Sequence, residues 1–581
     1  REAPGRWLVL NQRGELYRFN GERFAPVPVE GPVGRFTGLT ADVRPGAPPW
    51  LLHERHPGVL GPGGWRAVPG DGEPVGPVSG TGPARSGGLW VFAGGKLRRL
   101  REDAGVAEER AYPADASVPG TILEDAAGRL WISTWGRGLV VVVRDGSHQR
   151  FALAEGFPSD VVRTVFEDRE GNVWAVINGG GLVRVKRRAF TSFERRRDFP
   201  PPPPLPLAVN EDAAGGLWIG CLDTGLYRVA GSRLEGPVTV AGRVVADPGV
   251  WSLAARRGGG MWVGSRGGGL AAAGAGTEHW WRRRDGLPDD HVIALCEARD
   301  GTLWIGTQDG LARFAGGVFT RYGTEDGLLA NHVRALAEDA AGALWIGTIH
   351  GGLNRFTSEG LSAVTNGLPS RTVDALLAEA DGSVWIGTPR GLCLWRAGRL
   401  FHFTPGEGLG ALAISAILDD QLGHLWLGST RGVWRVARAE IEACVRGEKA
   451  RPDTTNFGRS EGLVSIQISS GHPAGVRSQD GRLWFATAGG VSVVDPREVP
   501  HNPHPPPVII EALRVDDEAW PLPAEAGPPP SAGDRLPDGP PPRWFGQARL
   551  PPGGRRMEIQ DTGVSLTAPD RVRFQYRLDG F

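Results

Sequence analysis

The sequence predicts an all-β chain of many short antiparallel strands, and three observations carry that prediction. The first is a phrase that returns: GTLWIGTQDGLARF at 301–314, GALWIGTIHGGLNRF at 342–356 and GSVWIGTPRGLCLWR at 382–396. The second is composition. Eighty-eight Gly and 48 Pro stand beside 21 Trp and only 2 Met, a mixture of turn formers and strand formers. The third is alternation inside the phrase. In Leu344-Trp345-Ile346-Gly347-Thr348 successive side chains fall on opposite faces of a sheet.

The spacing selects the architecture. Anchor tryptophans stand at Trp7, Trp50, Trp90, Trp131, Trp174, Trp218, Trp262, Trp304, Trp345, Trp385, Trp426 and Trp484, mostly 40 to 44 residues apart, with a last interval of 58. A period near forty marks propellers and related arrays. One repeat holds a strand at 333–337, an acid–Gly turn at 338–342, the Trp strand, a Gly351-Gly352 turn, a third strand at 353–356 and a weaker fourth at 361–364. Four short strands make one blade. Trp345 and Gly347 are expected to face one neighbouring blade, and Leu344 and Ile346 the other.

A single ring holds about four to eight blades, so twelve anchors predict tandem β-propellers. The proline run at 199–206 (FPPPPPLP) reads as a stiff linker between them. An N-terminal ring is expected at 1–198 with about five blades visible, incomplete upstream of Arg1, and a seven-bladed ring at 207–504; a division into six and six blades is the alternative. Within the long last interval, 437–449 (ARAEIEACVRGEK) reads as a helix on the ring's flank. The repeat stops at Pro505. In the tail, RVRFQYRLDGF at 571–581 alternates like a half-buried strand, so 505–581 is expected to open a small β domain in which the chain stops.

Several chemistries are disfavoured. Lys+Arg and Asp+Glu are both 65, and no basic tract offers a footprint for nucleic acid. The apolar run LVVVV at 139–143 is far too short to span a membrane. Four Cys are no disulfide framework. The acid pairs Glu124-Asp125, Glu167-Asp168, Glu211-Asp212, Glu338-Asp339 and Asp419-Asp420 recur at one phase of the repeat. That suits a structural turn, since an active site needs one pair. His53 with His56, and His501 with His504, lack the further ligands of a metal site. No catalytic residue, metal or cofactor is expected.

Positions fixed across the copies serve the fold, and positions that vary at one end of the ring are free to serve a ligand. That end carries the turns between second and third strands and the crossings between blades. The turns place Trp135, Arg137, Asn178, Asp223, Arg266, Asp309, His350, Arg390 and Arg431 there, and the crossings add His291, His332 and Arg371. Planar amides, guanidinium forks and an indole suit a sugar or an acidic sugar, because Arg clamps a carboxylate with two bonds.

The copies LWIGT-xx-GGL-x-RF, with EDxxG before them and the spacers Asp285-Gly286-Leu287-Pro288, Asp326-Gly327-Leu328 and Asn366-Gly367-Leu368-Pro369, resemble the two-component regulator propeller repeat. The tail FQYRLDGF resembles the start of the β-sandwich called Y_Y_Y. The resemblance implies the periplasmic sensor region of an inner-membrane receptor in a Gram-negative-type bacterium. Such a receptor binds a small molecule or oligosaccharide, pairs as a homodimer through the sandwich, and continues through a membrane helix to a histidine kinase. The alternatives are the sensor of a diguanylate cyclase, a secreted propeller enzyme acting on polysaccharide, and a protein-binding scaffold.

Overall fold

A computed structural model describes most of residues 7–500, except 20–21, 30–33, 42–46, 62–63, 69–76, 114, 116, 196, 200–203, 232, 241–242, 245–248, 275–278, 365–366, 405–408 and 411–412. Beyond 500 it describes 508–515, 518–520, 556–563, 565, 566 and 572. The chain divides into two compact units. One is Arg187–His501; the other is Arg1–Lys186 with Asn502–Phe581.

The 187–501 unit contains seven four-stranded antiparallel sheets. In chain order they occupy 206–235, 250–281, 292–322, 333–364, 375–403, 416–457 and 475–494. The first strand of each sheet touches the first strand of the next, and the seventh touches the first, closing a ring. The seventh sheet has only three strands of its own. Its outer strand is Phe190–Glu194, paired antiparallel to Gly490–Val494 with Phe193 opposite Val491.

This clasp moves the expected domain boundary. The linker was expected at 199–206, but the second unit begins at Arg187. Phe199 is buried in that unit against Tyr227, and Pro206–Glu211 is the inner strand of the first sheet. The physical reason is the clasp itself. A ring closed by strand pairing needs a strand from ahead of the proline run. Residues 200–203 lie outside the described residues.

Each sheet is stacked on the next by its tryptophan. Trp345 packs with Val373, Val384 and Ile386 of the following sheet, while Leu344 and Ile346 pack with Trp304 and Leu311 of the preceding one. A Cβ on Gly347 would stand 2.6 Å from Val373 Cγ1, so only glycine allows that approach. Trp484 of the seventh sheet packs on Val209 and Ile219 of the first. The recurring acids explain how the tryptophan is held. Asp339 Oδ1 accepts the backbone N–H groups of Ala341 and Ala343, while Oδ2 accepts the Trp345 indole N–H at 2.9 Å. The same bond joins Trp131 to Asp125, Trp174 to Asp168, Trp218 to Asp212 and Trp426 to Asp420. Arg355 lies over the Trp345 ring, its Cζ 5.5 Å from the centroid, and reaches Asp339 at 3.5 Å.

The preceding Glu has a different task. Glu338 accepts the Arg299 N–H of the turn in the previous sheet, and Glu211 accepts that of Gln479 across the clasped seam. Asp therefore ties a turn to its own tryptophan, and Glu ties neighbouring turns together.

The helix is Arg438–Val445, shorter than expected, with Ile441 buried. It is pinned to the fifth sheet by Glu442–Arg396 at 2.9 Å and Arg438–Glu379 at 2.6 Å. The other unit holds a three-stranded sheet at 7–26 and a four-stranded sheet at 36–67. Sheets at 79–111 and 119–151 follow, joined by a parallel bridge at Thr81–Thr121, then a three-stranded sheet at 162–185. Of the tail, Val508–Val515 pairs with Glu518–Trp520 and Met557–Gly563. Of the strand expected at 571–581, every residue but 572 lies outside the described residues. Among the described residues no helix is long and apolar enough to cross a membrane, which says nothing of a β-barrel.

Trp345→Ala is expected to cost about 3–5 kcal/mol as a core truncation. Asp339→Ala, which strips the indole and the turn of their acceptor, should cost about 1–3 kcal/mol. Arg390→Ala should change stability by less than about 0.5 kcal/mol. Equilibrium denaturation of the three variants checks the order; a large Arg390 effect would refute the assignment of fixed and variable positions.

Candidate functional site

The inner strands of the first four sheets of the second ring break register once near their start. The shift falls between Pro206 and Ala208, Val250 and Ser252, Val292 and Ala294, and Val333 and Ala335. A bulge of this kind re-aims the extra residue. In the first three sheets it is Leu207, Trp251 or Ile293. In the fourth it is Arg334, only 6% exposed. Arg334 Nε meets Asp374, just ahead of the fifth sheet's inner strand, at 3.3 Å. An ion pair in this position departs from the apolar rule of the ring.

A second departure faces it. Residues 469–473, before the seventh sheet's inner strand, turn in across the middle of the ring. Ser469 Oγ donates to the Pro206 carbonyl at 2.6 Å, the His472 N–H to the Trp251 carbonyl, and the Leu253 N–H to the His472 carbonyl. The Leu336 N–H of the fourth sheet donates to His472 Nε2 at 3.5 Å. One short segment thus touches the first, second and fourth sheets. The His472 imidazole is pushed down to about 4, first by its surroundings of protein and then by the charge of Arg334. His332 is lowered by burial, then by Arg334 and His350. Burial raises the Asp374 carboxyl, with Arg334 offsetting part of that rise.

Of the residues expected to serve a ligand, His332 and His350 lie at one strand end, where the Ile349 N–H donates to the His332 carbonyl at 2.9 Å. Asp309 accepts from Asn331 Nδ2 at 3.0 Å. Arg266 lies over Trp251, Cζ 6.0 Å from the ring centroid, and forms a bridge with His291; His291 Nδ1 is 2.9 Å from Asp289. Asp223, Arg371, Arg390 and Arg431 stand exposed. Trp135, Arg137 and Asn178 belong to the other unit. There Trp135 is 60% exposed, and the Arg163 guanidinium lies 5.9 Å from its ring centroid. Two N–H groups of Arg163 donate to Asn178 Oδ1, at 3.0 and 2.8 Å. Arg163 also occupies a bulge, between Val162 and Thr164.

Arg334, Asp374, His472 and Arg163 escaped the sequence reading, which looked to turns and crossings. A usable signal existed. In VRALAE and TVDALLA a charge stands where HVIALCE and PLAVNE carry Ile or Leu. Among the described residues no group of three or more His, Cys, Asp or Glu side chains is placed to hold a metal. His53 and His56 face each other across a tight turn; His501 and His504 lie outside the described residues.

Arg334→Met alone leaves the Asp374 carboxylate without its cation, at an expected cost of about 3–5 kcal/mol. The double variant Arg334→Met with Asp374→Leu should be more stable than that single variant, and denaturation of both tests the pairing. His472 generates a pH dependence. Its folded pKa of about 4 lies below the ordinary 6.5, so between these values the unfolded chain takes up a proton that the folded ring refuses. Stability should fall as pH drops through that window. In His472→Gln the fall should be shallower, read as unfolding midpoint against pH.

Comparison with known proteins agrees with the repeat and the fold. Segments 112–136, 286–309 and 327–350 match the model of the two component regulator propeller. Each spans a crossing, a Trp strand and the turn after it, or a large part of that span. Comparison with curated proteins gives no match. Among solved structures, the extracellular domain assigned to the hybrid two component system BT3049 of B. thetaiotaomicron is 19% identical. That alignment covers 89% of this chain and 78% of that one, with a TM-score of 0.64. The extracellular domain assigned to the hybrid two component system BT4673 of the same organism is 14% identical, covering 88% and 78%, with a TM-score of 0.45. The first shares the fold. Three segments of the chain thus match the two component regulator propeller model, and the stacked four-stranded sheets are the fold shared with the first of these structures.

Proposed function

We propose that this chain is the extracytoplasmic, ligand-sensing region of a transmembrane signalling receptor, of the two-component histidine kinase class. The observation that carries the reading is the polar break inside the second ring. Arg334 pairs with Asp374 at 3.3 Å where the other bulges are apolar, and the His332 carbonyl, two residues before Arg334, takes the Ile349 N–H. A carboxylate and a guanidinium held 3.3 Å apart offer acceptors and donors side by side, which suits a polyhydroxy ligand. Trp135 with Arg163 offers a similar stacking surface in the other unit.

Support also comes from the regulator repeats and from the extracellular origin of the structure that shares the fold. In this reading the receptor stands in the periplasm of a Gram-negative-type bacterium, and ligand binding alters packing between two subunits. The ligand is a small molecule or oligosaccharide, and the chain itself performs no reaction.

The test is a cellular reporter driven by the full-length receptor. The double variant Arg334→Met with Asp374→Leu is expected to abolish the response to inducing glycans while the receptor stays at normal abundance. Arg390→Ala should keep the response. An unchanged response in the double variant, or release of product from glycan by the purified chain, would count against the proposal.

A further inference from the structure

What covers each tryptophan of the second ring differs from one interface to the next. In three successive sheets the residue paired with the start of the Trp strand is a large aromatic: Phe314 opposite Leu303, Phe356 opposite Leu344 and Trp395 opposite Val384. Each meets the tryptophan of the sheet before it. Phe314 lies 6.3 Å from Trp262, Phe356 5.0 Å from Trp304 and Trp395 4.7 Å from Trp345, between ring centroids. Where the aromatic is absent, something else fills the space. Trp280 and Val240 do so beside Trp218, Ile441 of the helix beside Trp385, and Phe190 with Phe457 beside Trp426.

At the clasped seam the tryptophan is Trp484, and the equivalent residue of the first sheet is Val229, paired with Leu217. Here a cleft of about 650 Å³ stays open. Its size falls in the range of small-molecule sites, roughly 300–1,000 Å³. Its floor is Trp484, stacked on Phe193 at 6.0 Å and 17°, with Val493 and Val229. The rim is charged, and most of the charges answer one another. Arg187 meets Glu498 at 2.7 Å, Arg482 meets Asp480, and Asp495 meets Arg497. Two rim groups of opposite sign have no ion-pair partner among the described residues. They are Arg188 and Glu211, whose carboxylate takes only the Gln479 N–H.

We propose that this cleft is a binding site for an aromatic α-amino acid. The ring enters the space that Phe314, Phe356 and Trp395 fill elsewhere and stacks beside Trp484. The carboxylate meets Arg188 and the ammonium meets Glu211. The site lies at the acid–Gly-turn end of the ring, away from the ion pair of Arg334, and stands independently of the sensing role proposed above. It also touches both chain connections of the ring, Arg187 before the clasp strand and Glu498 after the last strand. Occupancy therefore braces the one seam where the ring is held by a strand from elsewhere in the sequence.

The test is calorimetric titration of the whole chain with L-phenylalanine, L-tyrosine and L-tryptophan, with L-leucine and phenylpropionate as partial probes. We expect saturable binding of at least one aromatic amino acid, weaker binding of both partial probes, and no effect of Arg334→Met with Asp374→Leu. Val229→Phe supplies the missing ring from within. It should weaken binding at least about tenfold, or 1.4 kcal/mol, with an unfolding midpoint no lower than that of the parent. Arg188→Ala and Glu211→Gln should each weaken binding without lowering the midpoint. The absence of saturable heat at about 10 mM ligand, binding undiminished in Val229→Phe, or a lowered midpoint in Val229→Phe would each overturn the proposal.

Discussion

The bond from a tryptophan indole to a buried carboxylate one turn away is the constraint on which the ring depends. A sheet-to-sheet interface needs a large flat side chain, and tryptophan brings a polar N–H with it. Buried without a partner, that N–H costs stability. Asp339 resolves the problem and closes its hairpin at once, because its second oxygen holds the turn's backbone N–H groups. Turn geometry and interface geometry are then one choice. Where the turn carries no acid, as at Arg256, the Trp262 indole donates instead to Glu297 of the next sheet at 2.8 Å. The demand on the indole persists although its acceptor changes.

That economy is why so much of the fold is legible in the sequence. Trp, Asp, Glu and Gly each answer a local requirement, and each requirement recurs with the repeat, so the chain repeats its own explanation. The clasp strand is different. FTSFE at 190–194 needs only to fit an outer edge some 300 residues further on, and its partner Gly490–Val494 places few demands on it. Nothing local marks such a strand, and the neighbouring proline run, read on composition, drew the boundary to itself. Helix Arg438–Val445 was visible because helix-forming residues cluster there, but its ends depend on ion pairs to the fifth and sixth sheets that no local pattern contains.

The candidate site was legible to a lesser degree, for a reason rooted in the bulge. Alternation assigns Arg334 to a face of its strand, and one extra residue in the register re-aims it. No sequence pattern announces that shift. The turns were readable, so His332 and His350 were singled out, while the charge beside them passed as ordinary. His472 lies within the one interval that exceeds the repeat, and its neighbours across the ring belong to strands more than 130 residues away in sequence. Comparing equivalent positions between repeats, with apolar occupancy as the rule, is the reading that finds these residues: a charge at a position otherwise apolar calls for a partner, and the partner is what turns a stray side chain into a site.

The same comparison applies to empty space. Inner residues of a closed ring are over-determined, since each sheet must fit two neighbours at protein-like density. A substitution that removes an aromatic at an interface therefore leaves a void unless a neighbour moves in. At Trp385 the neighbour is Ile441, and at Trp426 it is Phe190 from the clasp. The clasp strand thus contributes a ring to the interface before it, while Phe193 on the same strand stacks on Trp484 and leaves the far side of the cleft to Val229. Closing a ring with a strand from outside the repeat satisfies the backbone of the last sheet, but it does not restore the aromatic that the first sheet lacks. The seam is consequently where a distant segment closes the ring and where a cleft of about 650 Å³ stays open.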